Sequence, residues 1–242
     1  MPQTAGIILI GNEILSGKIV DANATYLCRQ FRELGVEVRK VSVIPDEADL
    51  IAREIREFQQ AYTWVFTSGG VGPTHDDVTI EGVARGLGFR VIRHPLLVAR
   101  LEEVYKGRLN DARLKMAEVP EGADLLAMDS LLVPVLLIRN IFILPGVPEI
   151  FRQKFEAIKE RFRERPFLLR NVYVRIGEGT LAEHLSAMLG EFPELLCGSY
   201  PEFSNPEYRV RVTLESKDPE YLERAFGYLL ARLPAEAVVR VQ

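Results

Sequence analysis

Residues 64–81 read WVFTSGGVGPTHDDVTIE. Trp64, Val65 and Phe66 begin a buried strand, and Ser68, Gly69, Gly70, Gly72 and Pro73 break it into a turn that runs on into a helix start. Glycines at such a junction let backbone N–H groups turn toward an anion, where the helix dipole adds partial positive charge. Asp76 and Asp77 sit just inside the turn. Two carboxylates beside a phosphate cradle repel the phosphate unless a divalent cation lies between them, and Mg²⁺ is commonly held by one or two carboxylates plus phosphate oxygens. The stretch reads as a metal-assisted site for a nucleotide diphosphate or a pterin phosphate. The same letters also match a structural motif, a capping box with Thr74 as N-cap and Asp77 reaching back to it. His75 is assigned no role.

Upstream, Gly6–Ile10 is a short continuous apolar run, as in a central parallel strand buried on both faces. It ends in Gly11, Asn12 and Glu13, then Ser16, Gly17, Asp21 and Asn23. Open α/β sheets bind ligands in such loops, at the carboxyl ends of their strands. Asp21 or Asn23 equally suits the cap of the helix that follows, Ala24–Leu34, which stops at Gly35. Val36–Ile44 reads as a second strand, and Asp46 is another carboxylate at a strand end, before an amphipathic helix carrying Leu50, Ile51, Ile55 and Phe58. Lys18, after Gly17, reads as a solvated lysine.

Downstream, a helix is expected over about 78–87, a short strand over 89–92, and helices over 96–105 and 109–118. Residues 124–128, 133–137 and 140–144 are strand-like. A long helix then runs to about Glu164, with Phe151, Phe155, Ile158 and Phe162 on one face; Pro148 and Glu149 suit its first turn. After Pro166 the order becomes β-α-β-β-α-β, the split βαβ unit of a ferredoxin-like fold. The expected organisation is an α/β three-layer domain with a mostly parallel sheet over residues 1–165 and a small α+β domain over 166–242.

Composition narrows the function classes. Of 242 residues 48% are hydrophobic, enough for a large core, yet no stretch approaches the ~20 apolar residues of a membrane span. A net charge of −4 argues against a dedicated nucleic-acid binder. The two cysteines, Cys28 and Cys197, lack metal-ligand spacing, and the N-terminus lacks a basic leader, so a cytoplasmic protein with reduced thiols is expected.

Six ordered motifs resemble one family: Gly11-Asn-Glu-Ile-Leu-Ser-Gly17, Asp21-x-Asn23, Pro45-Asp46, Ser68-Gly-Gly-Val-Gly-Pro-Thr74, Asp76-Asp-Val-Thr79 and Leu144-Pro-Gly-Val-Pro-Glu149. Together they look like the molybdopterin-binding-like domain of molybdenum-cofactor adenylyltransferases, CinA-type proteins and eukaryotic FAD synthases. Gly198-Ser-Tyr-Pro201 with Asn205-Pro206 points to the last two branches. Residues 128–139 lack the Asn- and Gly-rich loop usual in bacterial CinA-type chains and look more like the FAD-synthase branch. The chain stops at Gln242, where the full CinA-type architecture continues into an amidohydrolase domain, so nicotinamide-nucleotide deamidation is not expected of it.

The resemblance implies a phosphorylated ligand, an adenine dinucleotide or a pterin phosphate, bound at the strand ends. It adds Thr79, Pro145, Gly146, Pro148 and Glu149 to the ligand-contacting residues already read from the loops. It implies that Asp46 and Asp77 handle metal and catalysis, with Asp76 as a further ligand or general base. The activity it implies is metal-dependent cleavage of a diphosphate such as ADP-ribose or FAD; adenylyl transfer to a pterin and a non-catalytic binding module are the alternatives. A homo-oligomer, most simply a symmetric dimer, is also expected.

Overall fold

In the computed structural model, which describes residues 3–128, 131 and 133–242, the apolar run becomes β1 (Thr4–Ile10). Its alternate side chains enter two different cores. Ala5, Ile7 and Leu9 face one side, and Ile8 and Ile10 the other. Both faces of β1 are therefore covered, which is why its sequence is apolar without alternation.

On the first face lie α2 (Asn23–Leu34, following a single helical turn, α1, at Asn12–Leu15) and, later in the chain, α7 (Pro148–Glu156). Helix α2 contributes Ala24, Leu27, Phe31 and Leu34, and α7 contributes Phe151 and Phe155. On the second face lie α3 (Ala48–Ala61), through Ile51, Ile55 and Phe58, and α4 (Thr79–Leu87), through Val83. This is a three-layer α/β arrangement. The sheet between the layers also contains β2 (Glu37–Ile44), β3 (Trp64–Ser68), β6 (Asp124–Leu126), β7 (Val135–Ile138) and β8 (Ile141–Leu144). Its order is β2-β1-β3-β8-β7-β6. The β2-β1, β1-β3 and β3-β8 pairs are parallel, and the two pairs made by β7 are antiparallel.

Strand β2 lies at the edge and carries an irregularity. Ala5 pairs with Val38 but Gly6 pairs with Lys40, so Arg39 is an extra residue. The bulge resets the alternation, and Val41 and Val43 end up exposed.

Three elements differ from the sequence expectation. The helix expected over 109–118 is only α6 (Asp111–Lys115), which follows α5 (Pro95–Tyr105). The chain then forms β5 (Glu118–Pro120), antiparallel to β4 (Val91–Arg93). Three residues are too few to show a period, so β5 exists only because β4 is there to pair with it. The long helix expected after Pro148 ends at Glu156, and a 3-10 turn at Lys159–Phe162 finishes it. Its apolar stripe still reaches the core, with Ile158 and Phe162 packed beside Phe155. Of the expected segment 128–139, residues 129, 130 and 132 lie outside the described residues.

The chain divides into two compact units at Glu164/Arg165. The second unit follows the order β9 (Leu168–Val174), α8 (Glu178–Glu191), β10 (Leu196–Pro201), β11 (Val210–Ser216), α9 (Pro219–Arg232) and β12 (Val238–Val241). Its sheet is antiparallel throughout, ordered β10-β11-β9-β12, the arrangement of a ferredoxin-like unit. Val172, Val174, Val210, Val212 and Leu214 point into its core with Leu181 and Leu222. No helix among the described residues is long and apolar enough to cross a membrane.

Candidate functional site

In the order β2-β1-β3, β1 starts the sheet and its neighbours lie on opposite sides, so the chain diverges at its carboxyl end. Ligands of open α/β sheets bind in the crevice at such a switch point. The loops after β1, β3 and β8 open there onto a cleft of about 1010 Å³, at the upper end of ligand-pocket sizes.

The glycine loop is the wall of this cleft nearest the sheet. Gly69 and Gly70 have φ of 106° and 64°, a region that side-chain-bearing residues seldom enter. A Cβ on Gly69 would strike the Ile10 carbonyl of the neighbouring strand, and one on Gly70 would strike Thr79. Thr79 explains that crowding. Its hydroxyl donates to the Gly69 carbonyl at 2.8 Å and its N–H to the Gly70 carbonyl at 3.0 Å, and its side chain is fully buried. Thr79 thus holds the loop from behind and is not among the cleft-lining residues. Ile80 and Glu81, in the first turn of α4, do line the cleft, and no side chain caps that helix. Uncapped first-turn N–H groups are a ready anion site.

The turn from Thr74 to Asp77 corrects the capping-box reading. Asp77 does reach back, its Oδ2 accepting the Thr74 N–H at 2.7 Å. The helix, however, begins only at Thr79 with Val78 as N-cap, so the motif closes a separate turn. The Thr74 hydroxyl donates to Asp77 Oδ2 at 2.5 Å and does not cap a helix N–H. The nearby Thr74 hydroxyl is the main reason that the Asp76 carboxyl lies below its ordinary range, and the charges of His75 and Lys115 add to it. Lys115 is anchored over the turn by donating to the Thr74 carbonyl at 2.5 Å. Asp77, Gly72, His75 and Lys115 face the cleft, while Pro73, Thr74 and Asp76 are exposed outside its lining.

The loop after β1 divides in the same way. Glu13 and Asp21 line the cleft; Gly11, Asn12, Ser16 and Gly17 do not. Both oxygens of Asp21 are engaged, accepting the N–H groups of Asn23 and Ala24 at 3.0 Å each, so Asp21, one residue before the Ala22 N-cap, satisfies the first N–H groups of α2. Asp46 lies after β2 and accepts the Asn12 N–H at 2.8 Å through Oδ2, again outside the cleft lining.

Asn23 ties the site together. Its side chain, 4% exposed, donates to Ser68 Oγ at 2.9 Å and to the Gly146 carbonyl at 2.8 Å. A carbonyl only accepts, so the amide orientation is fixed, and Oδ1 is left buried without a partner. Ser68, Gly69, Gly70, Pro145, Gly146 and Pro148 all border the cleft. Glu149, in the first turn of α7, is exposed and does not.

Of the cleft residues that sequence reasoning passed over, the buried one with a charge is Lys154 on α7. Its Nζ donates to the Pro134 carbonyl at 2.8 Å, and burial pushes its ammonium down to about 8. A signal was present: Lys154 continues the Phe151, Phe155, Ile158 stripe at helical spacing, where a lysine is out of place.

Among the described residues no three His, Cys, Asp or Glu side chains gather as a metal-holding cluster. Asp46 and Asp77 offer the kind of oxygen donors a hard cation takes, but of the two only Asp77 faces the cleft. Asp46 and Asp77 each spend only Oδ2 on the backbone, and they belong to the strand ends on either side of β1. Oxygen-only donors, few in number and completed by phosphate oxygens, are the Mg²⁺ pattern.

A mostly parallel sheet, a doubly glycine-turned loop at its switch point and a ferredoxin-like second unit define a class of α/β ligand-binding proteins. The chain belongs to the family described as probable molybdopterin binding domain, which matches residues 6–168. Residues 166–242 match a second family, described as FAD synthase, middle domain. A protein of Archaeoglobus fulgidus is 34% identical over 219 residues, covering 90% of this chain and 93% of its own. A probable FAD synthase of Caenorhabditis elegans is also 34% identical, over 92% of this chain but 49% of its own. The chain thus spans about half the length of that FAD synthase. The solved structure of CinA from Thermoplasma acidophilum, 31% identical, aligns over 67% of this chain and 100% of its own with a TM-score of 0.61.

Proposed function

We propose that the cleft binds an adenine dinucleotide and cleaves its diphosphate, with ADP-ribose- or FAD-like molecules as substrates. The observation that carries this reading is the junction of Gly69–Gly72 with the uncapped first turn of α4 in a cleft of dinucleotide size. Backbone N–H groups there donate to phosphate oxygens, and the apolar wall of Val71, Val78 and Ile80 suits an aromatic ring. A divalent ion such as Mg²⁺, when bound by Asp46 and Asp77, would supply neutralisation of the diphosphate charge. Asp76, beside Asp77 but outside the cleft lining, takes the proton of the attacking water only if its side chain turns inward, and its lowered carboxyl makes it a weak base. The water oxygen bonds to one phosphorus, the bridging P–O bond breaks, and the products are AMP and the second phosphate monoester.

Incubation with FAD or ADP-ribose and a series of divalent metals tests this directly. AMP release that requires both metal and intact Asp77 is the expected result. Tight binding with no product converts the assignment to a binding module.

A second reading, adenylyl transfer, is favoured by the names of the C. elegans relative and of the family matched by the second unit. FMN supplied with ATP and metal distinguishes it: FAD and pyrophosphate form if transfer is the activity. Assembly into a homo-oligomer completes the proposal, and light scattering that finds only a 27.4 kDa species at working concentration removes that part.

A further inference from the structure

The other charged side chains that line the cleft reach solvent wholly or in part. Lys154 does not. It is 7% exposed, it sits on the second turn of α7 with Ile150 one turn before it, and both residues line the cleft. Among the described residues its one hydrogen bond goes to a neutral acceptor, the Pro134 carbonyl. No ion pair with Lys154 is present among the described residues, and burial is the sole cause of its depressed ammonium. An ammonium has three donors, so two remain without a described partner.

A buried cation without a counter-charge is costly, and it is kept where something compensates it. The neutral Pro134 carbonyl removes part of the desolvation cost but none of the charge. Helix α7 adds a second reason to look to the ligand. A lysine placed only to latch residue 134 to the helix could do so from the solvent side, by snorkelling. Here the side chain instead lies on the apolar stripe, within the wall of the ligand cavity.

We propose that Lys154 is an anion-binding residue of the cleft, whose Nζ takes an oxyanion of the ligand at a place separate from the glycine loop. A ligand suited to both has a phosphate or carboxylate in addition to the group held by Gly69–Gly72. This rests on the reading of the cleft as a site for a phosphorylated ligand and adds a second anchoring point to it. A counter-anion raises a lysine's proton affinity, and a rise of one pKa unit lowers the reactive neutral fraction about tenfold.

The test is trace acetylation of every lysine in the full chain, read by mass spectrometry, with and without inorganic pyrophosphate, AMP or ADP-ribose. Amide shifts of Gly70 and Gly72 are followed in parallel. At least one probe is expected to slow acetylation of Lys154 about tenfold while leaving the exposed Lys18 unchanged. Lys154→Met is expected to weaken the same probe about tenfold, and Lys154→Arg, which keeps the charge, to weaken it less. If the glycine amides shift while Lys154 acetylates at an unchanged rate, the Lys154 assignment is overturned and the phosphate site stands. If neither the amides nor Lys154 respond to any probe, the phosphorylated-ligand reading falls and takes this assignment with it. The labelling uses the unaltered protein, so the result does not depend on either variant folding.

Discussion

Asn23 Nδ2 donates to the carbonyl of Gly146, 123 residues away in sequence and 2.8 Å away in space. The same nitrogen donates to Ser68 Oγ, so one buried amide joins the first long helix to the end of β3 and to the loop after its neighbour β8. Removing it leaves the Gly146 carbonyl short of a donor at the cleft wall. Asn23→Ala is expected to cost about 1–3 kcal/mol in urea unfolding, since an unsatisfied buried group loses more than the bond was worth. Asn23→Ala with unchanged stability would mean that water replaces the amide without cost.

Asp77 and Asp46 separate a structural role from a chemical one. Each accepts a backbone N–H through Oδ2, and an asparagine oxygen can accept the same bond. Asp77→Asn and Asp46→Asn are each expected to lose at most ~1 kcal/mol of stability. If they serve the reaction, AMP release falls roughly a hundredfold or more. Excess divalent metal should restore part of it by mass action on a weakened site. One thermal melt and one assay per variant read both outcomes, and normal turnover in both sinks the assignment.

Two glycines with positive φ should respond differently to alanine. Gly69 has φ of 106° and the Ile10 carbonyl where a Cβ would go, whereas Gly17 has φ of 71° and open space around it. Gly17→Ala is expected to cost about 1–2 kcal/mol, the penalty of a left-handed conformation alone. Gly69→Ala adds a collision with the backbone of β1, so it is expected to lower the melting temperature further and to abolish nucleotide binding. Equal melting temperatures for the two variants would contradict the close approach of the loop to β1.

Lys154 predicts a pH dependence of stability. Its ammonium is pushed down to about 8 in the folded chain from an ordinary 10.5. Below pH 8 both states are protonated and the folded state carries the full penalty of a buried charge. Between about pH 8 and 10.5 the unfolded chain binds more protons, so this residue's contribution to stability rises with pH and then levels off. Chemical denaturation of wild type and Lys154→Met across that window is expected to show the stability difference moving in favour of wild type. Within the window the slope is on the order of 1.4 kcal/mol for each pH unit. A difference that is flat with pH would place the ammonium in water.

Much of the fold was legible along the chain because its signals are local. A continuous apolar run marks β1, glycines at positions 35 and 88 stop α2 and α4 in left-handed conformations, and the β-α-β-β-α-β order marks the second unit. The glycine loop and its neighbouring carboxylates were legible for the same reason: a backbone that must turn sharply at a strand end restricts which residues can stand there. What the polar side chains do once there was decided by tertiary structure. Asp21 and Thr79 spend their oxygens on nearby backbone, Arg39 becomes a bulge because β2 pairs with β1, and β5 is a strand only in the presence of β4. Lys154 is out of place on the apolar stripe of its helix, but only the fold puts it in the cleft wall with its ammonium on the Pro134 carbonyl. Sequence carries what neighbours a few residues apart impose on one another, whereas a hydrogen bond spanning 123 residues exists only after the sheet has brought its ends together.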